Sequence, residues 1–434
     1  MQANRRDFFS RVTSLAAGLW AGKAAAQQSM EHMHMQPPPA PAAKPPSPPM
    51  RIPAGDIAHG SIPAVTPDIP DLPFTLDNGV KVFHLVAEPV KQQVIPGRVF
   101  DLWGFNGTAP GPTIQINQGD RVRIVFENRL PEPTGIHWHG LEVPNEMDGV
   151  PGVGQPPVMP GEKYIYEFTL HQEGTFFYHS HMAMQEMMGL LGAMILHPKT
   201  PYAPPVDKDF IILLQEYAVL PNNTVPDSMS MEFNWLTFNG KASPAATPLI
   251  VRLGERVRIR LINLGMDHHP IHLHGFTFWA TGHEGARQPE ALWARGNTAL
   301  VGVAQARDIE FIAERPGNWM LHCHLPHHMM NQMIANVGPM TRPGGAMQGM
   351  AHMDHMSHST QDPAQVPGYP QDAFMESPMM EMDKAVEKPE TYGLPKGWSG
   401  YMGGMMTLVR VMPPEQYEKI LALKREEVPR GQAQ

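Results

Sequence analysis

The chain repeats itself, and no other feature constrains its fold as strongly. Gly119-Asp120-Arg121-Val122-Arg123-Ile124 returns as Gly254-Glu255-Arg256-Val257-Arg258-Ile259. Ile136-His137-Trp138-His139-Gly140 returns as Ile271-His272-Leu273-His274-Gly275, at the same distance from the glycine. Gly174-Thr175-Phe176-Phe177-Tyr178-His179-Ser180-His181 returns as Gly317-Asn318-Trp319-Met320-Leu321-His322-Cys323-His324. Whatever one copy folds into, the other must fold into as well. Both copies are written in alternating or apolar strand runs: residues 79–86, 113–116 and 121–126 in the first, and 210–214, 248–253 and 256–262 in the second. Turns of glycine, proline and asparagine separate them, and 47 prolines and 39 glycines in the chain suit strands and turns better than helices. The expected fold class is therefore all-β: two tandem Greek-key β-sandwich domains of roughly 130 residues each, with irregular tails.

Composition places the boundaries at 1–26, 27–70, 71–200, 201–342 and 343–434. Asn4-Arg5-Arg6-Asp7-Phe8-Phe9 sets paired arginines before the apolar run Val12 to Ala21, and Ala24-Ala25-Ala26 offers a cleavage site. This reads as a twin-arginine export signal with a periplasmic destination. The run is too short to remain as a membrane-spanning helix, so the mature protein is expected to have none. Met30-Glu31-His32-Met33-His34-Met35 precedes a proline- and alanine-rich spacer, either as a copper-capture arm or as linker. Residues 347–358 are again rich in methionine and histidine, Tyr401 to Met412 offers one further strand, and Pro413-Pro414-Glu415 opens a short helix. A net charge of −9 with only 17% charged residues argues against a nucleic-acid partner.

The chemistry sits in four histidine pairs: His137/His139, His179/His181, His272/His274 and His322/His324. Residues i and i+2 of a strand share a face, so each pair presents two imidazoles together, as a copper or zinc cluster requires. One such pair is weak evidence of a metal; four in matched places of two repeats is strong. The last pair flanks Cys323, the only cysteine, which rules out an internal disulfide. A lone buried cysteine is ordinarily a small hydrophobe. Here His328 follows it by five residues and Met333 by ten, and thiolate, imidazole and thioether are the donors of a blue-copper site.

Over about residues 75 to 340 these motifs resemble the multicopper oxidases, the laccase-like family built from cupredoxin domains. The family's His-Pro-x-His-Leu-His-Gly motif is matched by His269-Pro270-Ile271-His272-Leu273-His274-Gly275. The resemblance implies four coppers per functional unit. Type 1 copper would be held by His269, Cys323, His328 and axial Met333; type 2 by His137 and His272. One type 3 copper would take His139, His179 and His324, and the other His181, His274 and His322. The function implied is one-electron oxidation of a donor at the type 1 copper coupled to reduction of O2 to water at the trinuclear cluster, with Cys323, His322 and His324 as the electron bridge. Asp148 stands where the family keeps a carboxylate beside the type 2 copper; it also reads as a turn aspartate before glycine. Met329 occupies a place where the family often has an acid. The first copy has Thr134, Ser180, Gln185 and Leu190 at the blue-copper positions, so it is expected to hold no type 1 copper, unlike a copper nitrite reductase.

About 90 residues separate His181 from His269, too few for a third sandwich. The resemblance is then to two-domain small laccases, and it implies a homotrimer whose trinuclear clusters lie between subunits. The electron donor is read as a metal ion, cuprous copper above all, because thioethers select that ion and methionine-rich tracts recur at 30–35, 182–188, 347–358 and 379–382. Phenols or aromatic amines are the alternative donors. Manganese would call for a carboxylate cluster that the sequence lacks. A periplasmic copper-sequestering protein is the reading of another class.

Overall fold

The structure, a computed structural model, describes residues 57–58, 60–220, 223–331, 333–335, 373–375 and 382–427, with backbone alone at 333–335 and 373–375. The expected export signal, the tracts at 30–35 and 347–358, and the Met333 side chain lie outside the described residues. The fold is all-β. The first half carries β1 (Phe74–Asp77), β2 (Val80–Ile95), β3 (Arg98–Phe105), β4 (Gly111–Asn117), β5 (Arg121–Asn128), β6 (Ile136–His139), β7 (Lys163–Thr169), β8 (Gly174–Ser180) and β9 (Leu191–His197). The second carries β10 (Lys208–Tyr217), β11 (Trp235–Phe238), β12 (Leu249–Arg252), β13 (Arg256–Asn263), β14 (His269–Leu273), β15 (Phe278–His283), β16 (Ala294–Gly296), β17 (Thr298–Val301), β18 (Gln305–Ile312) and β19 (Gly317–Cys323). Two short strands, β20 (Met333–Ala335) and β21 (Ala373–Met375), pair with each other, and β22 (Met406–Met412) and helix α1 (Pro414–Glu427) follow.

The duplication is visible in the sheet order. β2-β5-β7 in the first half is answered by β10-β13-β18 in the second, and β4-β9-β8-β6 by β12-β22-β19-β14. Even the directions agree: β2/β5 and β10/β13 are parallel, as are β4/β9 and β12/β22. Each pair of sheets closes over its own core because the alternating strands turn one side chain in two inward. Val122, Ile124 and Phe126 fill the first core, and Val257, Ile259 and Leu261 the second, all fully buried.

Met406–Met412 lies in the middle of a sheet, between β12 and β19. In the first copy the equivalent strand, β9, follows the second histidine pair almost at once; in the second copy it comes from the far end of the chain. Met406–Met412 therefore completes the second sandwich.

The two copies differ in what their other faces meet. Arg121 and Arg123 of β5 pair with Glu167 at the surface. Their counterparts Arg256 and Arg258 on β13 are largely covered, as is Arg260, which stands where the first copy has Val125. Arg260 makes a two-pronged pair with Asp209, at 2.9 and 2.8 Å, and donates at 2.6 Å to Thr175 of β8. Thr175 in turn donates to Asp308 at 2.8 Å. Beside this network Phe177, Leu191, Ala193 and Ile195 of the first half pack on Ile211, Leu213 and Ile262 of the second. The ion pair itself lies within the second half, and the bonds of Arg260 and Asp308 to Thr175 tie it to β8 of the first. Among the described residues no helix is long and apolar enough to cross a membrane.

The position of β22 makes a prediction. Met406, Leu408, Val409, Val411 and Met412 are all buried. At about 1.5–3 kcal/mol for each, their burial rivals the whole stability of a domain, about 5–15 kcal/mol. A chain cut after Gly400 should yield no cooperatively folded protein by circular dichroism on heating; an unaltered melt would show that β22 is an accessory strand.

Candidate metal centres

Register brings the histidines together. In β6 and β8 His137 stands opposite His179 and Ile136 opposite Ser180; in β14 and β19 His272 stands opposite His322 and Ile271 opposite Cys323. On β19 the alternation then sends Cys323 one way and its two flanking histidines the other.

Cys323 points inward and meets His269 and His328. All three are buried, and their donor atoms lie within 4.8 Å of one another. His328 Nδ1 is 3.4 Å and His269 Nδ1 3.8 Å from the sulfur, and the two Nδ1 atoms are 3.2 Å apart. His269 turns its other nitrogen, Nε2, to Glu216 at 3.1 Å. With Nε2–H donating to that carboxylate, the Nδ1 lone pair faces the sulfur. His328 Nε2 is buried with no hydrogen-bond partner, 3.6 Å from the Asp267 carboxylate. Two imidazoles and one thiol converging in an apolar setting fit a soft transition-metal ion, and this donor set fits copper. The loop that carries His328 is held by the far end of the chain. Met405 N–H donates to the His328 carbonyl at 2.8 Å, Cys323 N–H to the Met405 carbonyl at 3.0 Å, and Gly404 N–H to Asn331 Oδ1 at 2.8 Å. A Cβ on Gly404 would stand 2.1 Å from the His328 carbonyl oxygen, so only glycine lets the strand approach so closely.

The eight paired histidines form two groups at open edges. In the first half His137, His139 and His179 lie within metal-binding distance, and His181 stacks on His179 with rings 6.3 Å apart. In the second, His274 Nε2 is 3.0 Å from His322 Nε2, and the His324 ring lies 5.5 Å from that of His272. His181 and His324 are exposed, and among the described residues no ring or hydrogen-bond contact joins one group to the other. One histidine of each pair is locked by a backbone carbonyl at Nδ1: His137 by Asp148 at 2.8 Å, His179 by Ser180 at 2.9 Å, His272 by Asn297 at 2.7 Å and His322 by Cys323 at 2.8 Å. The lock leaves Nε2 as the free donor in all four, the orientation role typical of groups behind metal ligands. Asp148 also places its carboxylate 3.3 Å from His137 Nδ1.

Where the second copy has the cysteine centre, the first has a closed knot. Thr134 Oγ1 is 3.0 Å from Ser180 Oγ, and Ser180 donates to Gln185 at 2.7 Å, all buried. Side chains that satisfy one another leave no donor set for a metal.

Burial keeps the imidazoles neutral. His139 is pushed down to about 4, and His179 and His328 to about 3, by loss of water and then by neighbouring histidines. Burial also pushes the Cys323 thiol up to about 12, so a metal must expel its proton on binding. Glu216 and Asp267 went unnoticed in the sequence. The only signal for Glu216 is that it follows the apolar run Phe210–Leu214 and Gln215 just before β10 ends.

These sandwiches, with a thiolate–imidazole centre in one and histidine groups in both, define a copper-binding cupredoxin protein. Models described as multicopper oxidase match residues 90–201 and 219–340. A blue copper oxidase structure from Nitrosomonas europaea is 31% identical with a TM-score of 0.54, covering 58% of this chain and 81% of that one. The chain belongs to the multicopper oxidase family. Copper resistance protein A of Escherichia coli is 34% identical over 135 residues, 31% of this chain and 22% of that protein. A probable nitrite reductase-hydroxylamine oxidoreductase fusion protein of Kuenenia stuttgartiensis is 31% identical over 280 residues, 59% of this chain and 31% of that protein. The matches thus span under a third of these curated relatives' length.

The depressed histidines give a pH prediction for the copper-free protein. The unfolded chain takes protons near pH 6.5 at His139, His179 and His328, whereas the folded chain refuses them until about pH 3–4. Their contribution to stability is therefore complete above pH 6.5 and is lost as pH falls from there. Urea midpoints should drop between pH 7 and 4.5, and His328→Gln should remove about one proton from the slope. An unchanged slope in that variant would refute the assignment.

Proposed function

We propose that the chain is a periplasmic oxidase, exported by the twin-arginine route, that uses copper to pass electrons from a small donor to dioxygen. His269, Cys323, His328 and Met333 would hold the type 1 copper, and His137 and His272 the type 2. His139, His179 and His324 would hold one type 3 copper, and His181, His274 and His322 the other. Copper in these places supplies one-electron redox chemistry and the four-electron, four-proton conversion of O2 to two waters. The observation that carries this reading is the buried convergence of His269, Cys323 and His328 on a strand whose next residues on either side are His322 and His324.

The protein's own residues do the rest. Cys323 sits between the two centres, and the hydrogen bond from His322 Nδ1 to the Cys323 carbonyl adds a second link beside the peptide bonds. Asp148, part-exposed and touching His137, is placed to bring protons from water. Exposed His181 and His324 leave each half-site open, and we take the completing half to come from a second subunit, in a closed ring of three.

For the donor, the packing supports cuprous ion. Met320, Met329, Met402 and Met406 pack together around Leu408 and Trp398, and Met329 adjoins His328. Thioethers prefer cuprous over harder ions. Plain core filling is what methionines do elsewhere.

One experiment tests assembly and chemistry together. After loading with copper, the protein should sediment as a trimer holding four coppers per chain, and that fraction should consume one O2 per four cuprous ions oxidised. Monomer carrying four coppers per chain would refute the shared site; uptake of O2 with a phenol but not with cuprous ion would refute the donor.

A further inference from the structure

Glu216 is a buried acid whose partners are unusual. It is completely covered, at the end of β10. Oε1 accepts from the backbone N–H groups of Met266 and Asp267, the latter at 2.8 Å. Oε2 accepts from His269 Nε2 at 3.1 Å. Two of its three contacts are backbone N–H donors, which suit a carboxylate that accepts. Among the described residues no lysine or arginine pairs with it. The loop is shaped to admit it: a Cβ on Gly265 would lie 2.0 Å from Oε2 and 2.4 Å from the carboxyl carbon.

A buried anion without a cation is costly unless a positive charge arrives. The only charge this one can reach through a hydrogen bond is that carried by His269. We propose that Glu216 is a built-in counter-ion for the metal held by His269, Cys323 and His328, acting through the His269 ring as a positioning and potential-setting residue. The inference rests on the type 1 reading of those three ligands.

The consequence follows from charge counting. With the thiolate of Cys323 and the carboxylate of Glu216, a cupric ion gives a neutral site and a cuprous ion a site of charge −1. In a dry setting the neutral state is favoured, so Glu216 holds the reduction potential down. When a donor loses one electron and the site gains it, the site moves toward the less favoured charge. Glu216 therefore restricts the chain to donors that give up an electron readily, such as cuprous ion, and disfavours harder-to-oxidise phenols. Asp267 cannot do the same work, since its side chain is 40% exposed and water screens it.

The test is a redox titration of the copper-loaded full-length protein against a dye couple, followed through the sulfur-to-copper absorption. Glu216→Gln keeps the shape and can still accept from the loop, so the fold should survive. The electron-exchange equilibrium should shift at least tenfold toward the reduced site, a rise of about 59 mV for one electron. Gly265→Ala, which drives the carboxylate away from His269, should shift it in the same direction, and Asp267→Asn should move it less. A residue that only braces the loop would leave the potential unchanged while lowering stability, and that result would overturn the proposal, as would a fall in potential in Gly265→Ala. Wild-type protein with no sulfur-to-copper absorption would instead refute the ligand reading beneath it.

Discussion

Everything at the metal centres hangs on the alternation of one strand. Because successive residues of β19 face opposite ways, His322 and His324 reach one surface while Cys323 reaches the space between the sheets. A single tripeptide thus serves two environments, one dry and one open to water. The partner strand β14 repeats the device: His269, Ile271 and Leu273 turn inward, while His272, and His274 just past the strand, turn to the open face. A one-residue slip between β14 and β19 would exchange the faces, so the register has to be fixed from outside the pair. β22 does this on the other edge of β19, with His322 opposite Met406.

The two environments are then prepared by opposite choices of imidazole nitrogen. At the open faces, carbonyls of Asp148, Ser180, Asn297 and Cys323 take the Nδ1 proton and free Nε2. At the buried centre a carboxylate accepts from His269 Nε2 and leaves Nδ1 toward the sulfur. The ligand set alone does not express this choice; it belongs to the next residue's carbonyl at His179 and His322, and to groups distant in sequence at His137, His272 and His269. In the first copy the same strand geometry carries Thr134, Ser180 and Gln185, and the cavity closes on itself with hydrogen bonds. The same scaffold occurs twice, with His269, Cys323 and His328 converging in one copy and Thr134, Ser180 and Gln185 bonded to one another in the other.

The all-β class and the histidine pairs were legible because they are local: alternation and i, i+2 spacing are properties of short stretches. The duplication was legible as matched motifs. Three things were not. Met406–Met412 read as a further strand lying against the second domain, but nothing local says that it fills the slot β9 fills in the first copy. Arg260 of β13 carries no local sign of burial, and only its contacts with Asp209 and with Thr175 of β8 show it covered. Glu216 sits 53 residues from His269 and carries no motif. Long-range contacts decide all three, and a single sequence does not record them.

The central claim is that Cys323 supports a centre separate from, and wired to, the histidine groups. It is tested most directly by copper content and absorption of full-length Cys323→Ser. The account predicts loss of one copper per chain together with the sulfur-to-copper band, while the remaining three stay bound to an unchanged assembly. Retention of that band, or a folded assembly that loses every copper at once, would contradict it.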